Sequence, residues 1–164
     1  MDNDSIMQVF FYILILLGTL IIMEGITWCT HKYVMHGFLW YLHKDHHQVR
    51  PGVFEKNDLF FIVFAIPSAL CYMLGSLTIY RELLFVGIGI SIYGLIYFLI
   101  HDVYIHRRFT WFRQLDNPYS RAILKAHGAH HAVITKEAGE SFGLLLVDLK
   151  YFKSNKERKK KSEK

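Results

Sequence analysis

Cysteine is scarce in this chain: Cys29 and Cys71 are the only two in 164 residues. They form no pair with metal-binding spacing and imply no disulfide framework, so a thiolate zinc site is excluded. Both sit in or beside long apolar runs and are read as buried small apolar residues. Charge is just as scarce over three long stretches. Ile6 to Ile26 is interrupted chiefly by Gln8 and Glu24, and Leu59 to Tyr80 and Leu83 to Ile100, extending toward Ile105, are separated by Arg81 and Glu82. Each is about 20 residues long, which suits one helical crossing of a bilayer. Positive charge is missing at the start, where Asp2 and Asp4 stand, and no small-residue cleavage site follows the first run, which argues against a removed signal peptide. Also missing is a basic stripe interleaved with aromatics. The net charge of +5 comes largely from the tail "KSNKERKKKSEK", and nucleic-acid binding is excluded as the main role.

What is present is apolar: 52% of the residues are hydrophobic and 16% aromatic. The expected fold is an all-α integral membrane protein of about three transmembrane helices, the last two forming a hairpin. A fourth crossing by Ser141 to Phe152 is the alternative, but that segment is short and carries Asp148 and Lys150, so it is read as interfacial. One membrane-embedded domain is expected over residues 1–152, followed by a basic, disordered tail over 153–164. Asn57 or Asp58 is expected to cap the hairpin's first helix and Pro67 to kink it, while Gly75, Gly87, Gly89 and Gly94 allow close helix contact. Of the 19 Lys and Arg residues, Arg81 alone falls between the hairpin helices. Because such residues stay cytoplasmic, the N-terminus is placed outside, and the segment 30–56 and everything after about residue 105 inside.

Ten histidines collect on that inner side, and none stands alone. His31, His36, His43, His46 and His47 form one group; His101, His106, His127, His130 and His131 form the other. Each group reads H-x4-H and then H-x2-H-H, so one pattern occurs twice. On an α-helix, residues i, i+3 and i+4 span about 100° of arc, which points His43, His46 and His47 together, and likewise His127, His130 and His131. Asn117 and Pro118 announce a helix running from about 118 toward 131, within which Gly128 asks for close packing or a bend. The H-x4-H pairs fit a regular helix badly, since their side chains would stand about 140° apart. A helix end, a π-bulge, or a metal pair straddled by the helix would each reconcile them.

Neutral imidazoles ligate iron, copper and zinc, whereas ten imidazolium ions packed together would repel one another, so the pattern points to metal. Ten ligands are too many for one structural zinc, and two ions share them naturally. Five nitrogens on each leave a position open on a six-coordinate ion, which suits iron that must bind oxygen. No Glu-x-x-His pair of the soluble di-iron carboxylate bundles is present, so any bridge is water or hydroxide. Asp45 and Asp102 adjoin the histidines and are candidates to orient imidazoles. Trp28, Tyr33, Phe38, Trp40 and Tyr41 suit a membrane boundary, with a ring pocket as a second role. Arg107, Arg108 and Arg113 satisfy the positive-inside rule and are candidates to dock an acidic electron donor.

The stretches "HKYVMHGFLWYLHKDHH", "HDVYIHRRF" and "NPYSRAILKAHGAHH" resemble the membrane di-iron superfamily of fatty-acid hydroxylases, sterol desaturases and carotenoid hydroxylases, and more closely the short bacterial beta-carotene 3-hydroxylases. The resemblance runs from about Glu24 to Lys150 and includes the later "SFGLLL". It implies a bacterial cytoplasmic-membrane monooxygenase with two iron ions held by the ten histidines. Such an enzyme hydroxylates carbon 3 of a beta-ionone ring, with O2 as co-substrate and two electrons from a ferredoxin-like donor reduced by NAD(P)H. No catalytic residue beyond the metal ligands is implied. A fatty acyl or sterol hydroxylase or desaturase is the alternative enzyme. A metal transporter or sensor is the alternative from another class, and it would place ligands at the midplane of its spans, where this chain has almost none.

Overall fold

A computed structural model describes residues 2–48, 52, 54–111 and 115–153. The expected tail therefore lies almost wholly outside the described residues, as does Arg113. Among the described residues the only regular structure is helical. Three helices are long and apolar enough to cross a membrane: Asn3–Phe38, Lys56–Leu77 and Glu82–Ile105. The segment 141–148 contains no helix and is followed only by a short 3-10 turn, Leu149–Tyr151, so the fourth crossing is set aside.

The first span is α1 (Asn3–Cys29), capped by Asp2, whose carboxylate accepts from Ser5 N at 2.9 Å. It continues without a break into a π-helical stretch, Thr30–Phe38, and ends at the short helix α2 (Trp40–His43). The hairpin is α3 (Phe60–Leu77) and α4 (Glu82–Tyr97), and α4 likewise runs on into a π-helical stretch, Phe98–Ile105. Helix α5 covers Pro118–His131. Asn117 is its cap, with an oxygen accepting from Ser120 N at 2.9 Å, as the sequence predicts.

Small residues set the helix spacing. A Cβ at Gly75 would fall on the backbone of Leu84, and one at Gly87 would lie 3.0 Å from Ser68 O. Ser68 Oγ donates to that same Gly87 carbonyl at 2.9 Å, so α3 and α4 meet through a polar bond as well as a close approach. Gly89 faces α1, where a Cβ would stand 2.7 Å from Thr19 Cγ2. Gly94 and Gly128, by contrast, face open space, so neither serves packing. Replacing Gly89 with Leu is expected to cost about 1–3 kcal/mol by overpacking. In a chain of this size that lowers the melting temperature by roughly 3–10 °C in detergent, whereas Gly18→Ala, with nothing near its position, should leave it unchanged.

One local expectation is corrected and another narrowed. Cys29 is exposed and Cys71 half-buried, because each lies on the outer side of a helix that an apolar medium can cover. The hairpin's entry is capped by Glu55 and Asp58, with Glu55 N donating to Asp58 Oδ2 at 3.0 Å, which leaves Asn57 free for another task. Pro67 stands inside α3, which continues through it.

Candidate metal centre

The two π-helical stretches resolve the awkward H-x4-H spacing. In a π-helix the bond runs from residue i+5 back to residue i, so that i+5 returns above i. In the second stretch the ligand pair itself makes this bond, His106 N donating to His101 O at 2.9 Å. Both pairs thereby turn one face inward at the same end of the bundle.

The H-x2-H-H runs do something the sequence does not announce. Residue i+4 lies about 40° to one side of residue i and i+3 about 60° to the other, so the run has two faces. The outer histidines of each run go to one group and the middle one crosses over. His31, His36, His43, His47 and His130 bring five ligand atoms within 4.8 Å of one another, and His46, His106, His127 and His131 form a second such group. His101 joins the second through its Nε2, 3.1 Å from His46 Nε2. All ten histidines are thus gathered, five and five. The expectation that His43, His46 and His47 point together, and likewise His127, His130 and His131, is corrected: His46 and His130 are exchanged between the halves.

The hydrogen bonds fix which nitrogen is free. In the first group every Nδ1 donates to oxygen: His31 to Phe142 O at 3.0 Å, His36 to Lys136 O at 3.2 Å, His43 to Asn57 Oδ1 at 2.7 Å, His47 to Val133 O and His130 to Glu140 O, both at 2.9 Å. Each Nε2 is therefore a bare lone pair. Yet these lone pairs face each other, His31 to His43 and His47 to His43 at 3.1 Å and His36 to His130 at 3.3 Å. No proton lies between them, and only a shared cation makes such an arrangement favourable. The second group fits on different grounds: His46 Nδ1 donates to Glu55 Oε2 at 2.7 Å, and His131 Nε2 is buried with no protein partner. The residues present fit two metal ions.

Outside the spans, burial disfavours charge on the rings, as a ligand role requires. Loss of solvation pushes His47 down to about 4 and His106 and His130 to about 3, with neighbouring imidazoles adding repulsion. In metal-free protein this makes stability fully present above about pH 6.5 and progressively lost below it, because the unfolded chain takes up protons that the folded one refuses. A denaturant titration of apoprotein in detergent at pH 7.5 and pH 5 should show the lower stability at pH 5.

A strap, residues 132–148, follows α5 and supplies four of the five backbone and side-chain acceptors of the first group. It is held in turn by Glu24, buried in the first span at 6% exposure. Glu24 Oε1 accepts from Leu144, Leu145 and Leu146 N at 3.0, 2.8 and 2.9 Å, and Oε2 accepts from Tyr93 Oη at 2.6 Å. Beside His127, between the strap and α5, lies a cavity of about 320 Å³ whose walls join apolar Trp28, Ile105, Ile123 and Phe142 to charged Glu140, Asp148 and Lys150. Trp40 packs its ring against His36, His43 and His47 at 5.0 to 5.9 Å, whereas Tyr33, Phe38 and Tyr41 are exposed.

Of the two expected orienting residues, Asp45 is buried and its Oδ2 accepts from Lys56 N at 3.0 Å, whereas Asp102 does lie beside an imidazole, its Oδ2 3.5 Å from His101 Nδ1, a long contact. Arg108 is not available to a partner protein, being paired with Asp102, Asp58 and Glu55 at 2.6, 2.8 and 3.2 Å. Glu55, Asn57, Glu24 and the strap carbonyls went unread in the sequence. Of these, only Glu24, a carboxylate inside a span, carried a signal.

A helical membrane scaffold that gathers ten histidines in two groups of five defines a class of membrane oxygenase, and the family comparison agrees. Residues 16–149 match the fatty acid hydroxylase family, and the chain belongs to it. Within that family it is similar to the beta-carotene hydroxylases of Pantoea ananas, 44% identical over 80% of this chain and 75% of the relative, and of Pseudescherichia vulneris, 41% identical over 80% and 74%. It is also 34% identical to the chloroplastic beta-carotene 3-hydroxylase 1 of Arabidopsis thaliana, over 87% of this chain and 46% of that longer protein. No solved structure matches.

Proposed function

We propose that this protein hydroxylates the beta-ionone rings of beta-carotene at carbon 3, giving beta-cryptoxanthin and then zeaxanthin. The observation that carries the reading is the facing of five bare Nε2 lone pairs at one end of the bundle, in a chain over 40% identical to beta-carotene hydroxylases. His31, His36, His43, His47 and His130 would hold one iron and His46, His101, His106, His127 and His131 the other. Bound there, the pair supplies redox chemistry: O2 with two electrons and two protons gives one oxygen atom to the ring C–H bond and releases the other as water. The chain's own work is to keep imidazoles such as His47, His106 and His130 neutral, to fix the tautomers of the first group and of His46, and to admit a hydrocarbon ring from the bilayer. A polyene needs only its ring end to reach the boundary, and the cavity bordered by Trp28, Ile105, Ile123 and Phe142 beside His127 has room for a cyclic end group.

Electrons come, on this reading, from a ferredoxin-like donor reduced by NAD(P)H. The protein sits in the bacterial cytoplasmic membrane with its N-terminus outside and both histidine groups inside, since Arg81 alone among the basic residues lies on the outer turn. Product analysis by chromatography after expression in carotene-accumulating cells tests substrate, position and reaction together. Hydroxylated carotenoid is expected. Iron-loaded, reducible protein that yields none sinks the carotenoid reading, and modified fatty acyl or sterol lipid in the same extract replaces it.

A further inference from the structure

The two metal positions differ in the charge behind their ligands. In the first group, the Nδ1 donors end on four backbone carbonyls and one amide oxygen, all neutral. Behind the second group stands a cluster of carboxylates. Glu55 Oε2 accepts a hydrogen bond from His46 Nδ1 at 2.7 Å and pairs with Arg108 at 3.2 Å, so an imidazole N–H and a guanidinium share that oxygen. Asp102, 3.5 Å from His101, and Asp58 share the same Arg108. Three carboxylates around one guanidinium leave a surplus of negative charge. The sequence already separates the two environments, because Glu55 and Asn57 are two residues apart on the turn entering the hairpin, each serving a histidine of a different group.

We propose that Glu55 is a positioning residue that makes the two metal positions unequal, the position of His46, His101, His106, His127 and His131 holding its cation more tightly. A carboxylate accepting from the far nitrogen makes an imidazole a stronger donor than a carbonyl does, and the surplus negative charge favours a cation nearby. The charge acts through His46; Glu55 itself touches neither metal nor substrate. The inference rests on the metal-centre reading above.

The test uses full-length protein in detergent, stripped of metal and titrated with Co2+, whose visible spectrum reports ligation. His31→Ala with His36→Ala leaves only the second position intact, and His106→Ala with His127→Ala leaves only the first. Glu55→Gln keeps an oxygen for His46 and removes the charge. It should weaken Co2+ binding 10- to 100-fold when only the second position remains, and less than about threefold when only the first remains. Equal weakening at both, or none at the second, overturns the proposal. Should a paired variant elute as aggregate, the same comparison is made on Glu55→Gln alone loaded with 57Fe. One of two Mössbauer doublets should shift, and a shift of both or neither overturns the proposal. Wild-type protein that takes up no metal overturns the underlying reading and the inference with it.

Discussion

Protein carrying His46→Ala will keep one metal ion and lose the other; so will His106→Ala, and the two together will still keep one. His46→Ala combined with His43→Ala will keep none. This follows from the crossing of the middle histidine. His46 is three residues from His43 and adjacent to His47, yet its Nε2 lies against His101, while His43 and His47 face each other at 3.1 Å in the other group. His130 makes the reciprocal crossing, its Nε2 3.3 Å from His36, so His130→Ala should pair with His36→Ala in the same way. Removing a ligand should weaken the affected ion by about 100-fold or more, beyond the loss seen when only its hydrogen-bond partner goes. Product formation should fall to background in every one of these proteins, since the proposed reaction uses both ions. Metal per protein, measured by elemental analysis after gel filtration, separates this partition from the simpler one in which each half of the sequence builds its own site. On that simpler scheme, His46→Ala with His43→Ala would keep one ion and His46→Ala with His106→Ala none.

Spacing alone does not assign histidines to ions, and the reason is instructive. Apolar runs, the Asn117-Pro118 start of α5 and the doubled histidine pattern are local signals, legible residue by residue. The two-faced character of H-x2-H-H is also local, but which face meets which site depends on where α5 lies against the first span, information held in contacts such as that of His36 with His130, 94 residues apart. The π-helical stretches stood among the open explanations of H-x4-H, and spacing could not choose between them. Least legible were the acceptors that fix the tautomers. Val133, Lys136, Glu140 and Phe142 act through their carbonyls, which every residue possesses, so no side chain advertised the role. Asp45 and Asp102 were noticed because they adjoin histidines in sequence. Glu55 and Asn57, nine and 14 residues from the imidazoles they orient, are the ones that the fold brings to bear.

Glu24→Ala is expected to empty the first metal position while sparing the second, although Glu24 touches no histidine. Its carboxylate is buried inside the first span and accepts four bonds, three of them from consecutive strap amides and one from Tyr93. Such bonds to a charged acceptor contribute about 1.5–3 kcal/mol each, and deleting it strands three amides and a hydroxyl where water enters poorly. Without the carboxylate, the strap loses the three amide bonds that tie it to α1, keeping there the edge contact of Phe142 with Trp28, and the carbonyls that hold His31, His36, His47 and His130 are loosened with it. Those four belong to one group, whereas His46 of the second group takes its acceptor from the hairpin entry at Glu55, outside the strap. Stability should fall by roughly 3–5 kcal/mol. Metal content should drop toward one ion per chain, and product formation should be lost. Glu24→Gln retains one oxygen for the amides and should fall between wild type and Ala in both stability and metal content. If Glu24→Ala instead lost both ions equally, or neither, the strap would not be the part of the chain that orients the first group. A melting curve in detergent beside an iron determination is enough to decide.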